Sequence, residues 1–424
     1  MRRVVVMLKI SKKQIKPEPF IAFVLAVAPI LQHYKGLYEN AGYTAILIAA
    51  PFIFYKLFFV LKEWNFSTVQ KDRLIALIPL LLFLAYSAVN RGISFSRILY
   101  VGFFSLIYIS IALDCVDFKR ILKYAYYICC AATAVLLIQY VCYYIIRYKL
   151  QLIPVGLLHE ESSRWIERST SKTIGGFYRP SAFFLEPSHV FLYFFPNIAF
   201  LLFLPKINLR RKVAAMVLTM GVILSTSGMG IAVVAGLWAV YILLYSAKGN
   251  RENAPQLSNL FSKRTLVLIA VFLCALVVAY FTIDVVQNTV NRIFVNDSGS
   301  TAIAGRVRRA INHVKKMSAR DIIIGYSKDV AVSEFGFNRA GFFATLFKQG
   351  IVGIVLSYWF YLRGLRNVNS VNFWYTLVIL FLSFFTAHTH GTFYMLYFVC
   401  FLRYGYANEG TKMRILPRIQ RKKE

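Results

Sequence analysis

Long apolar runs alternate with short polar stretches along almost the whole chain. A membrane-spanning helix needs about 20 residues, and the longer runs, bounded by charged residues or by Gly, Pro and Asn, meet that requirement. We predict twelve spans, at about 20–34, 42–61, 74–89, 97–113, 121–146, 189–204, 213–226, 229–246, 265–283, 341–362, 371–387 and 392–402. We interpret the run from 213 to 246 as two short helices, because its Ser/Gly cluster at 225–230 is a turn signal.

The connections between these spans differ in their Lys and Arg content. An even number of spans places both termini on one side, where the N-terminal segment, the C-terminal tail and connections such as 206–212 are all basic. The short connections on the other side hold only Lys35, Arg91 and Arg97. Because short basic loops stay in the cytoplasm, we expect a multi-pass protein of the cytoplasmic (inner) membrane with both termini cytoplasmic. Residues 1–16 lack the apolar core of a cleavable signal peptide.

The predicted fold is an all-α integral membrane protein with about 12 transmembrane helices and two long outer-face loops. Its parts are membrane helices one to five (1–146), the first long loop (147–188), helices six to nine (189–283), the second long loop (284–340), helices ten to twelve (341–402) and a basic cytoplasmic tail (403–424). Long loops cross the membrane largely regardless of charge. Both long loops are basic, which indicates an anionic ligand on the outer face or contact with anionic lipid headgroups.

The composition supports this class and excludes others. Of 424 residues 58% are hydrophobic, above the roughly 45–50% of soluble domains, which excludes a soluble globular enzyme. The chain has 49 Lys+Arg against 18 Asp+Glu, a net charge of +31. We do not expect a nucleic-acid partner, because this charge is spread over loops on both sides of a bilayer.

The absence of acidic residues from the spans, and of cysteine from the outer segments, argues against further classes of protein. No Asp or Glu lies in the middle of a predicted span, which argues against ion-coupled transport. The outer segments contain no cysteine and no DxD motif that could hold a divalent cation. We therefore expect outer-face chemistry without a metal and without a cofactor.

The most specific motif is the segment from Arg179 to His189, RPSAFFLEPSH, directly before the sixth predicted span. Pro187 suits the first position of a helix, so we expect Glu186 at the N-cap and Ser188 and His189 in the first turn. A carboxylate, a hydroxyl, an imidazole and free backbone N–H groups would then converge at the outer surface, where they can bind an anion and move protons. A simple helix cap beside a headgroup-level imidazole is the alternative interpretation.

Candidate phosphate-binding cations lie in the second long loop and the spans after it. If residues 305–316 are helical, one face carries Arg306, Arg309, His313 and Lys316. Such a stripe could clamp a diphosphate, or simply face solvent or lipid. Lys348 lies about two turns inside the tenth span, where a charge needs a hydrated cavity or a partner unless it snorkels to the surface. His388 and His390, in the last outer turn, could contact a phosphate or move a proton, although a plain turn would look the same.

This pattern resembles the Wzy-type polysaccharide polymerases of the O-antigen polymerase and ligase superfamily, over about residues 175–392. The specific part is the phrase ending in EPSH. Looser similarities are the turn Ser225–Gly230, the pair Gly305-Arg306, Gly325 followed by Asn338, and Gly350-Ile351-Val352-Gly353. The chain departs from the family in lacking an Arg in the Ser/Gly turn and in having Phe337, where many members have His, before Asn338.

The resemblance implies a GT-C-like glycosyltransferase architecture and an inverting, metal-independent transfer on the outer face. A growing glycan would move from undecaprenyl diphosphate to the terminal sugar of an incoming lipid-linked repeat unit. The expected partners are this undecaprenyl-diphosphate-linked oligosaccharide and membrane lipids, with a chain-length regulator and a flippase as candidate protein partners.

Residue by residue, the resemblance makes Glu186 or His189 the base or acceptor-orienting group, and Arg179 and Arg306 the diphosphate ligands. Further substrate-binding candidates are Arg309, Asn338, Arg339, Lys348, His388 and His390. A ligase that moves the glycan to a final acceptor is the close alternative. A lipid-linked oligosaccharide flippase is the alternative from another class, although it would be expected to have short outer loops and internal repeats.

Overall fold

Helices make up the regular structure of the residues that can be described. The computed structural model describes residues 17–37, 41–63, 66–90, 92–158, 178–203, 209–246, 281–282, 287, 310–326, 341–366, 371–384 and 392–406. Within these residues the chain is all-helical, and its extended backbone pairs at one isolated bridge, between Tyr34 and Leu158. The all-α part of the fold prediction is therefore confirmed.

The helices named below are α1 to α12 in chain order. The first six are α1 Glu18–Leu31, α2 Ala41–Glu63, α3 Thr68–Asn90, α4 Phe95–Ala112, α5 Phe118–Tyr144 and α6 Pro187–Phe203. They are followed by α7 Leu209–Leu224, α8 Gly228–Ser246, α9 Ala319–Ile324, α10 Gly341–Leu362, α11 Val371–Ser383 and α12 Thr392–Tyr406. Short 3-10 turns lie at Val155–Leu157 and Arg363–Arg366.

Local signals explain where these helices lie. All of them except α9 fall on predicted apolar segments, and the Ser/Gly cluster separates α7 from α8 as expected. At the start of α5 the Asp117 carboxylate accepts the N–H of Arg120, which satisfies one of the free donors of the first turn. The predicted segment at 265–283 lies outside the described residues except for its last helical positions, 281 and 282.

Several helices present wide apolar faces to the outside of the molecule. On α2 the exposed residues Ile48, Phe52, Tyr55 and Phe59 recur every three or four positions and form one stripe. On α10 a second stripe contains Ile351, Val355, Trp359 and Leu362. Such stripes would be costly in water and are expected of helices that face lipid.

The protein is membrane-embedded. Among the described residues, four helices, α2, α3, α5 and α10, are long and apolar enough to cross a bilayer, and shorter apolar helices accompany them. The number of crossings, twelve, stays a prediction, and so does the orientation of the termini.

One end of the bundle, called here the site end, gathers the end of α1, the start of α2, the end of α3 and the start of α4. Tyr43 at the start of α2 packs against Tyr100 and Phe104 in the first half and middle of α4, with ring centroids 5.9 and 5.4 Å apart. The opposite end carries ion pairs, including Arg73 with Asp114 at 3.0 Å. The α1–α2 and α3–α4 connections both lie at the site end, because each of them joins two helix ends that meet there.

Helix α6 lies at the centre of the bundle. It packs against α5, α7, α8 and α11, and nearly all of its residues are buried. Gly221 in α7 and Gly230 in α8 allow this close packing, because a Cβ at Gly230 would lie 2.7 Å from the Cβ of Phe191. The Ser/Gly turn thus sits beside the first turn and a half of α6, where His189 also lies.

Candidate functional site

The EPSH phrase begins α6 as the sequence predicts. Pro187 is the first residue of the helix, where its fixed φ suits the helical backbone and its missing N–H costs no hydrogen bond. The N–H of His189 donates to the Glu186 carbonyl at 2.9 Å, which closes the first turn. Glu186 and His189 are three positions apart, so their side chains extend from the same face of this turn.

Glu186 and His189 form a partly buried pair. The Nε2 atom of His189 lies 3.3 Å from Oε1 of Glu186, and the imidazole is 8% exposed while the carboxylate is 28% exposed. A carboxylate beside an imidazole stabilises the imidazolium form. The pair can therefore accept or donate a proton at the surface of the site end, as a general acid/base group must.

A second histidine, which the sequence interpretation missed, joins this pair. The ring of His33 stacks on the ring of His189, with centroids 4.7 Å apart and an angle of 1° between the ring planes. His33 lies just beyond the end of α1, so the contact links α1 to α6. The sequence offered one weak signal: His33 falls at the predicted outer end of its span.

Gln139 in α5 fixes the approach of the chain to this pair. Its side chain is 3% exposed; its Nε2 donates to the Leu150 carbonyl at 3.0 Å, and its Oε1 accepts the Ala182 N–H at 2.9 Å. Ala182 has φ 52°, a left-handed conformation that is unfavourable for Ala and is held here by its surroundings. One buried amide therefore holds the segment leaving α5 and the segment entering the EPSH phrase.

The α1–α2 connection closes the other side of the site. Tyr34 pairs with Leu158 in an antiparallel bridge, and the N–H of Lys35 donates to the Leu157 carbonyl at 2.9 Å. Tyr34 also packs with Leu185, the neighbour of Glu186, in a small apolar cluster that includes Leu158.

Arg179 is half-buried and lies in the same segment, seven positions before Glu186. Its neighbour Tyr178 stacks on Tyr143 of α5, with ring centroids 4.3 Å apart and planes at 11°. Burial raises the pKa of Tyr178 to about 12, so the tyrosine is a neutral anchor beside the charged guanidinium. Arg179 is thereby fixed near the end of α5 that also carries Gln139.

Lys348 lies at a second junction of the site end, where α10 is broken. At Gly350 the backbone adopts φ 64° and ψ −166°, so α10 consists of two helical pieces rather than the continuous span that was predicted. The Nδ2 atom of Asn90 donates hydrogen bonds to the Lys348 carbonyl and to the Ile324 carbonyl, each at 2.7 Å. A broken helix leaves carbonyls without intrahelical donors, and Asn90 supplies one of the replacements.

Two glycines make this junction possible. Gly325, with φ 86°, follows α9 directly and contacts the backbone at the break in α10. A Cβ at Gly350 would lie 2.2 Å from the Ile323 carbonyl oxygen, and a Cβ at Gly325 would lie 2.4 Å from the Gln349 nitrogen. These positions accept only glycine without a backbone shift.

The predicted basic helix of the second loop is described only in its last part. Residues 310–314 are helical and include His313, whose ring lies 6.3 Å from that of Phe347, whereas Lys316 is exposed in the turn that follows. Ala310 and Met317 are buried against Phe347 as well. The second loop therefore contacts α10 directly before its break, next to Lys348.

The structure brings together Glu186 and His189 and places Arg179 on the same segment, while Lys348 belongs to the α3–α9–α10 junction. The predicted site residues that lie outside the described residues are Arg306, Arg309, Asn338, Arg339, His388 and His390. In the described part of the chain, no three His, Cys, Asp or Glu side chains converge as metal ligands. Metal-independent chemistry stays a prediction.

Comparison with known proteins adds no family to this geometry. The chain matches no protein-family model and no curated protein.

Proposed function

We propose that this protein polymerises undecaprenyl-diphosphate-linked oligosaccharide repeat units into surface polysaccharide on the outer face of the cytoplasmic membrane. Support comes above all from the buried imidazole of His189, paired with Glu186 at 3.3 Å at the start of a central helix of a membrane-embedded bundle. Acid/base groups at a membrane surface, with Arg179 on the same segment, suit a lipid-anchored anionic donor.

The reaction needs a proton acceptor and a stabilised leaving group, and the protein must provide both. A hydroxyl of the acceptor sugar forms a new C–O bond to the anomeric carbon of the donor glycan, and the bond from that carbon to the lipid diphosphate breaks with inversion. The hydroxyl proton passes to the Glu186–His189 pair. The departing diphosphate keeps the bonding electrons, and its charge is stabilised by Arg179 together with Arg306 and Arg339.

The orientation belongs to the same proposal. The basic short connections favour cytoplasmic termini, and in this orientation the site end faces outward, where a glycan on a translocated lipid carrier is available. Lys348, Arg309, Asn338, His388 and His390 are the further groups assigned to the lipid-linked substrate. The chemistry of sugar transfer itself needs no metal and no cofactor in this scheme.

Deletion of the gene, followed by gel analysis of surface glycan and of lipid-linked intermediates, tests the function. We expect loss of long chains, with single repeat units still reaching their final acceptor. Lipid-linked polymer that accumulates without reaching an acceptor would contradict this proposal and support a ligase. Repeat units confined to the inner leaflet would contradict both enzymes and support a flippase.

Complementation of that deletion tests the site. We expect Glu186→Ala and Arg306→Ala to abolish chain elongation at normal protein level, because each removes a charge that the transfer step uses. Glu63→Ala is the matched control, since Glu63 is exposed at the opposite end of the bundle. Normal chain length in both site variants would overturn the assignment.

A further inference from the structure

The stacking of His33 on His189 is a specific geometry. The ring planes are parallel to within 1° and the centroids are 4.7 Å apart, as in an offset stack. Parallel imidazoles contact each other through their faces and leave their nitrogen atoms pointing sideways. His33 therefore restrains the plane of the His189 ring while Nε2 of His189 faces the Glu186 carboxylate.

The position of His33 is itself fixed from two directions. The hydroxyl of Tyr193, one turn after His189, donates to the Ala26 carbonyl of α1 at 2.7 Å and so sets how α1 lies against α6. On the other side, Tyr34 is held by its bridge to Leu158. His33 is thus held to the same structural frame as the EPSH phrase, although it comes from a distant part of the sequence.

The electrostatics of the stack favour the reaction. A neutral ring lying over a protonated imidazole is attractive, as in other cation–π contacts, whereas two protonated rings would repel each other. When His189 takes up the proton of the attacking hydroxyl, the Glu186 carboxylate stabilises the charge, and the face of the His33 ring adds to this stabilisation when His33 is in its neutral form. Loss of the stacked face would free the His189 ring to rotate and would raise the barrier of the proton-transfer step.

We propose that His33 is a positioning residue of the transfer site, acting through the face of its ring to hold His189 against Glu186. This inference rests on the proposed function. His33 touches neither the glycan nor the diphosphate in this scheme, so its removal acts on the chemical step and not on substrate binding.

The kinetic test uses full-length protein in lipid nanodiscs with undecaprenyl-diphosphate-linked oligosaccharide. We expect His33→Ala to lower kcat roughly 10–50-fold with KM changed less than about 2-fold, as lost orientation at one catalytic group implies. His33→Phe keeps a flat ring, so its kcat should stay within about 3-fold of the unmodified protein.

Three results would overturn the inference while the unmodified protein still elongates chains: an unchanged kcat in His33→Ala, a rise in KM alone, or a His33→Phe variant as slow as His33→Ala. Absence of elongation by the unmodified protein would instead defeat the proposed function. In that case the stacking of His33 on His189 can still be tested by spectroscopy. In histidine-labelled protein, the His189 ring protons should move downfield in His33→Ala, and an unmoved resonance would contradict the stacking.

Discussion

The Oε1 atom of Gln139 accepts a hydrogen bond from the backbone N–H of Ala182 at 2.9 Å, and Nε2 of the same side chain donates to the Leu150 carbonyl. This residue of α5 therefore holds both ends of the first long loop that are described. Because Ala182 precedes the EPSH phrase by only four positions, Gln139 determines where Glu186 enters the site.

We predict that Gln139→Leu destabilises the protein and lowers elongation. The change keeps the side-chain size but leaves two backbone groups without these partners, at about 1–3 kcal/mol for each buried group. Thermal unfolding in detergent should show a midpoint lower by about 2–5 °C. The control is Leu137→Ala, an exposed position on the same helix. Equal stability and activity in Gln139→Leu and the unmodified protein would show that this amide does not anchor the loop.

We predict that Gly350→Ala disrupts the α3–α9–α10 junction. The added Cβ would meet the Ile323 carbonyl oxygen at 2.2 Å, and the positive φ disfavours any L side chain. We expect little folded protein in fluorescence-detected size-exclusion chromatography. Gly236→Ala is the matched control, because nothing lies within 4 Å of its Cβ position and Ala stabilises a helix by about 1 kcal/mol over Gly. Normal yield of Gly350→Ala would contradict the described contact.

Asn90 offers a test of the same junction that adds no bulk. Its Nδ2 donates to the Ile324 and Lys348 carbonyls, both at 2.7 Å. Asn90→Asp replaces this donor by a carboxylate that repels both carbonyls, so we expect a larger fall in unfolding temperature than in Asn90→Leu. Asn90→Leu should itself unfold below the unmodified protein. The reverse order of the two variants would contradict the hydrogen-bond assignment.

Cys115, in the connection between α4 and α5, gives a prediction of pH dependence. Burial raises the pKa of its thiol to about 11, so at pH 8 only about 0.1% is the reactive thiolate, against about 10% for a thiol with a pKa of 9. In a variant that keeps only this cysteine, the rate of maleimide labelling should still rise between pH 9 and 10.5. As a control, a single cysteine at exposed position 63 should label far faster at pH 8. A rate for Cys115 that levels off below pH 9 would refute its burial.

Local features of the sequence determined much of this fold. Apolar runs give the helix positions, Pro187 gives the start of α6, and the three-residue spacing of Glu186 and His189 gives their pairing. The break at Gly350 was missed because the run from 341 to 362 is long and mostly apolar, and a glycine inside such a run is often tolerated within a helix. Its conformation depends on contacts with α9, which no local pattern contains.

The non-local part of the site was not predictable in the same way. His33 and Gln139 join the EPSH phrase only because α1 and α5 both contact α6, and neither residue stands at a spacing that signals a site. Asn90 likewise acquires its role from the break in α10. Sequence patterns identify residues that share a helix turn, whereas partners from separate helices emerge only from packing.

Reconstituted elongation tests the central claim most directly. Purified protein in nanodiscs would receive undecaprenyl-diphosphate-linked oligosaccharide as the sole substrate, and the products would be separated by gel. We expect a ladder of chain lengths from the unmodified protein and from Glu63→Ala, and unextended substrate from Glu186→Ala. No ladder from the unmodified protein, or an equal ladder from Glu186→Ala, would contradict the assignment of Glu186 and His189 to glycan polymerisation.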